Sequence, residues 1–92
     1  MKRQHDASFV DRSGRRVPVA FDLEARRQGD SLELQAVVRY DGKEQVLSLK
    51  AGAEEDRELR QPIGLVDVIL ELDSGEASYE IWRNDIQQNM FR

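Results

Sequence analysis

Few side chains in this sequence are suited to chemistry. His5 is the one histidine and there is no cysteine, so disulfides, thiolate metal sites and a cysteine nucleophile are excluded, and His5 and the carboxylates are the groups to weigh for acid–base chemistry. His5 stands close to a chain end, in Met1-Lys2-Arg3-Gln4-His5-Asp6, where fraying is expected. Asp22 and Glu24 fall on one face of an expected strand, where they solvate it or meet arginine rather than share a proton. No glycine-rich phosphate loop, nucleophile elbow or zinc-ligand spacing occurs. The sequence therefore nominates no catalytic residue, no metal and no cofactor, and the expected class is not an enzyme.

Basic side chains are more plentiful, with eleven arginines. Arg15-Arg16 and Arg26-Arg27 bracket one expected strand of about ten residues, which at roughly 3.3 Å per residue sets the two clusters on the order of 30 Å apart, too far for one compact phosphate-binding patch. Aromatic platforms for stacked bases are scarce, Trp82 being the one ring expected to point outward. Charge is divided along the chain: residues 1–50 hold ten Lys and Arg against eight Asp and Glu, and residues 51–92 hold four against ten, so the halves carry +2 and -6. That division means either neutralisation within the fold, the reading preferred here, or separate faces.

The elements that would position these residues read as β-strands. Glycines at 14, 29, 42, 52, 64 and 75 punctuate segments of alternating apolar and polar residues. Val17, Val19, Phe21, Leu23 and Ala25 alternate with Pro18, Ala20, Asp22, Glu24 and Arg26. A turn at Arg12-Ser13-Gly14 pairs residues 7–11 with this strand and sets Phe9 across from Val17 and Asp11 across from Arg15. Asp41-Gly42 is a preferred type I′ dipeptide, and its register places Arg39 opposite Glu44, Val37 opposite Val46 and Glu33 opposite Lys50, with Leu34, Ala36, Leu47 and Leu49 on the other face. Ser74-Gly75 does the same for Leu72, Leu70 and Val68 opposite Ala77, Tyr79 and Ile81. Residues 53–61 carry acids early, Arg60 late and one large apolar side chain, Leu59, which suits a short surface helix or loop stopped by Pro62. Asn84 or Asp85 caps a short helical turn that brings Ile86 and Met90 together.

The expected fold is a single all-β domain over residues 1–92. It is an antiparallel six-stranded meander forming a sandwich or partly open barrel, with the helix or loop between strands 4 and 5, a flexible segment at 1–6 and a helical tail at 84–92. The opening lacks the apolar stretch of a signal peptide and no later run reaches membrane-spanning length, so a cytoplasmic location without membrane contact is expected. By elimination the expected function is binding or regulation through protein–protein contacts, with self or another protein, and a barrel-type single-strand nucleic-acid binder is the alternative. The candidate interface is Val37, Val46, Ile69 and Trp82, which period-two alternation places away from Leu34 and Leu70.

Overall fold

The computed structural model describes residues 2–90. Eight strands follow one another: β1 (Lys2–Val10), β2 (Arg16–Gln28), β3 (Ser31–Tyr40), β4 (Lys43–Gly52), β5 (Asp56–Ile63), β6 (Val66–Asp73), β7 (Glu76–Arg83) and β8 (Gln88–Asn89). They form two antiparallel sheets in chain order, β1-β2-β3-β4 (sheet A) and β5-β6-β7-β8 (sheet B). One hydrophobic core, including Val17, Phe21, Leu34 and Val38 of sheet A and Val68, Leu70 and Ile81 of sheet B, joins them. The overall dimensions are 47 × 22 × 20 Å.

The turns set the registers. Asp41 and Gly42 both have positive φ, 51° and 83°, as a type I′ turn requires. Arg39 lies opposite Glu44, Val37 opposite Val46 and Glu33 opposite Lys50. Leu70 faces Tyr79 and Val68 faces Ile81 across the second hairpin. Phe9 pairs with Val17, and beyond that pair the Asp11 N–H donates to the Arg15 carbonyl at 2.9 Å. Pro18 lies near the start of β2, one step beyond the pair Val19–Tyr40 at the end of the β3 ladder. Its carbonyl accepts from the Asp41 N–H at 2.9 Å, and the N–H it lacks would have reached past the end of β3.

Four expectations need correction. The meander has eight strands, not six, and among the described residues there is no helix. Residues 56–63 are strand β5, because pairing with β6 sets Leu59 against Leu70 and Ile63 against Val66, whereas a lone helix would have left Leu59 on the surface without an apolar stripe to join. A tight turn replaces the expected helix start, with the Glu55 N–H donating to the Gly52 carbonyl and the Gly52 N–H to Glu55 Oε1, at 3.1 and 3.0 Å. Residues 2–6 belong to the β1 ladder, since the 13-residue β2 runs on beyond Ala7 and sets Lys2 opposite Glu24 and His5 opposite Phe21. In the expected helical tail, residues 84–87 are turn and Gln88–Asn89 add β8 to the end of β7, the Met90 N–H donating to the Ile81 carbonyl. Ile86 points to solvent while Met90 packs on the core. Residues 91 and 92 of that tail lie outside the described residues.

At one end of the molecule the layers are tied by polar and aromatic contacts. Tyr40 Oη accepts from the Leu65 N–H at 3.1 Å, the Phe9 and Tyr40 rings lie 6.2 Å apart, and the Arg83 guanidinium sits 4.7 Å above the Phe9 ring. Asp85 holds Arg83 there by two hydrogen bonds of 2.6 and 3.0 Å. With side-chain exposures of 14% and 8% it is the most enclosed ion pair among the described residues, and that hydrogen bonding keeps the Asp85 carboxyl below its ordinary pKa.

Candidate interaction surfaces

Strand alternation leaves each sheet one outward face. On sheet A the rows across the strands include Gln4–Asp22–Val37–Val46 and Asp6–Ala20–Arg39–Glu44. On sheet B they are Asp56–Asp73–Glu76, Glu58–Glu71–Ser78, Arg60–Ile69–Glu80 and Pro62–Asp67–Trp82–Asn89. The four expected interface residues are all outward, but in two places. Val37 and Val46 face each other on sheet A and Ile69 and Trp82 neighbour each other on sheet B, so the two pairs lie on opposite sides of the shared core.

Their exposures differ more than sequence suggests. Val46 is 55% exposed, the most of any large apolar side chain described, whereas Ile69 is only 2% exposed. Ile69 is flanked in register by the long side chains of Arg60 and Glu80, with Trp82 on the same face. These residues, together with Asn84 and Gln87, line one shallow depression, and a long charged stem covers an apolar neighbour while its head stays in water. Trp82 is half-buried in this wall.

The candidate chemistry is arranged as supports. The His5 ring lies 6.3 Å from that of Phe21, and among the described residues no three His, Cys, Asp or Glu side chains gather to hold a metal. Asp22 accepts from Arg39 Nη2 at 3.2 Å, and Glu24 accepts from Arg26 Nε at 2.9 Å, which holds the Glu24 carboxyl below its ordinary pKa. Arg15 makes a bidentate contact with Asp41, 3.0 and 2.7 Å, and Arg16 donates to Ser8 Oγ. The Arg15 and Arg26 ends of β2 are thus both engaged with carboxylates. No helix among the described residues is long and apolar enough to cross a membrane.

The charge division becomes spatial, because sheet A is made of residues 2–52 and sheet B of residues 56–89. No ion pair given for the described residues joins sheet A to sheet B; Arg57 of β5 pairs with Glu55 of the connecting turn, and the others lie within one sheet's stretch of chain. Across the sheets the charges act at longer range, Asp11 on Arg83 and Arg12 on Asp85. The first two rows of sheet B put Asp56, Asp73, Glu76, Glu58 and Glu71 together. There the Asp73 carboxyl is raised above its ordinary value of 3.8, first by a hydrogen bond with the Asp56 carboxyl and then by that group's charge, burial and the Glu76 charge. A raised folded-state pKa means the fold holds this proton more tightly than the unfolded chain does. Its contribution to stability is present below about pH 4 and is lost as pH rises through the folded value, leaving a constant penalty at neutral pH. Asp73→Asn is therefore expected to raise the denaturant midpoint at pH 7, with the gain shrinking as pH falls through the raised folded-state value and gone below about pH 4. A gain that persisted at pH 3 would point to a cause other than carboxylate repulsion.

The sequence matches no protein-family model, and no curated protein or solved structure matches the chain.

Proposed function

We propose that this chain is a small non-enzymatic binding or regulatory protein that works by protein–protein contact through the β4 side of sheet A. The observation that carries this reading is the position of Val46. It is more than half exposed, beside Val37 and within a rim formed by Gln35, Arg39, Glu44 and Ser48; an apolar centre with a polar rim is the usual anatomy of a contact surface. Ile69 and Trp82 belong to the other sheet, and with Ile69 only 2% exposed they take no part in this surface. The involvement of Arg15, Arg26 and Arg39 with carboxylates of their own sheet favours a protein partner over a nucleic-acid strand. A photoreactive amino acid in place of Val46 is expected to cross-link a protein in the native cell, whereas the same group in place of exposed Ser78 on sheet B is not. Equal cross-linking at both positions, or none at Val46, removes the reading.

A further inference from the structure

We propose that the partner at this surface is a second copy of the chain, joined edge to edge through β4 in an antiparallel pairing centred on Leu47; this rests on the protein-contact reading above. The backbone comes first. The two-residue turn makes Tyr40–Lys43 the closing hydrogen-bonded pair of the β3–β4 hairpin, so alternate residues Lys43, Gln45, Leu47 and Leu49 turn their N–H and C=O groups to β3. Glu44, Val46, Ser48 and Lys50 turn theirs to the open edge. No backbone hydrogen bond from these four residues to another part of the chain occurs among the described residues.

The other edges are better closed. On β5 the same alternation aims residues 56, 58, 60 and 62 outward, and Pro62 has no N–H to offer. β7 is capped by β8 and by the Met90 hydrogen bond to Ile81. β1 begins with Lys2, Arg3, Gln4, His5 and Asp6, a charged stretch of the kind that blunts an edge. β4 contains no proline and presents Val46 at its middle.

Charge then selects one register. A two-fold axis perpendicular to the sheet keeps outward side chains on the same side and sets a residue opposite itself. Centred on Leu47, Glu44 of one copy lies opposite Lys50 of the other, twice over, and Val46 opposite Ser48, twice over; roughly eight backbone hydrogen bonds form from the four pairs. Centred on Val46, Glu44 faces Ser48 and Lys50 is left against the turn. Centred on Ser48, Val46 faces Lys50. Only the Leu47 register pairs both charges, and opposite charges directly across a ladder are stabilising.

These charges are also free to pair. Within the hairpin Glu44 lies opposite Arg39 and Lys50 opposite Glu33, but Arg39 donates to Asp22 and Glu33 accepts from Ser48 Oγ. Neither Glu44 nor Lys50 takes part in an ion pair or side-chain hydrogen bond among the described residues. The same pairing sets the two Val46 side chains diagonally across the new ladder, extending the Val37–Val46 row into an apolar strip through the dimer.

Sedimentation velocity across a concentration series tests this. The wild type is expected to pass from monomer to dimer. Glu44→Lys and Lys50→Glu each set like charges together and are expected to weaken association at least tenfold, and the double reversal is expected to restore it, since each reversed side chain again meets its opposite. Circular dichroism melting at low concentration checks that all three variants fold. A wild type that stays monomeric to about 1 mM, single reversals that still dimerise, or a double reversal that does not recover overturns the pairing. If the wild type is monomeric and the probe at Val46 still captures a different protein, the second copy is excluded while the protein-contact reading stands.

Discussion

Gly64→Ala is expected to lower stability by about 3 kcal/mol, combining a strained backbone with an overfilled contact. Gly64 has φ +57°, and a β-carbon built on it falls against the Tyr40 ring, 2.7 Å from Oη. That ring cannot retreat freely, because Oη accepts the Leu65 N–H and the ring neighbours Phe9. The substitution therefore strains the contact that ties the layers together at this end. Gly42 supplies the control: φ is +83°, with nothing within 4 Å of a built β-carbon, so Gly42→Ala is expected to cost only the backbone part, about 1–2 kcal/mol. Urea midpoints measure both. In a Tyr40→Ala background the cost of Gly64→Ala should fall to that of Gly42→Ala; a cost unchanged by removal of the ring would mean that Tyr40 does not press on Gly64.

Phe21→Ala is expected to cost about 3–5 kcal/mol, the range for deleting a buried phenylalanine when the cavity collapses only partly. Phe21 is 1% exposed on the inner face of a central strand, between His5 of β1 and Val38 of β3. Against a typical domain stability of about 5–15 kcal/mol, that loss removes a large share of the total and unfolds much of the population only where the starting stability lies at the lower end. Val46→Ala, by contrast, should change the monomer by no more than about 0.5 kcal/mol, because the side chain is already mostly in water. Chemical denaturation at low concentration gives both values, and a comparable loss at the two positions would contradict the assignment of inner and outer faces.

Local structure is legible in the residues alone. Asp41-Gly42 and Ser74-Gly75 define their hairpins because a two-residue turn with positive φ accepts few side chains, and once the turn is placed every cross-strand pair follows by counting. Period-two alternation also separated Leu34 and Leu70 from Val37, Val46, Ile69 and Trp82. Strand β5 was not legible, since Leu59 alone makes a weak pattern and what makes the segment a strand, its fit against Leu70 and Val66, lies in another part of the chain.

Tertiary structure decided the rest. Alternation fixes which face a side chain takes but not which sheet that face belongs to, so only the division into two sheets around one core sends Val37 and Val46 to one side and Ile69 and Trp82 to the other. The same division turns a charge difference along the chain into a difference between faces. Hairpin register likewise gives Arg39 to Glu44 and Lys50 to Glu33, but a central strand has neighbours on both sides. With β2 alongside β3, Asp22 takes Arg39; within the hairpin Ser48 takes Glu33; and the charges of Glu44 and Lys50 are left at the edge of β4.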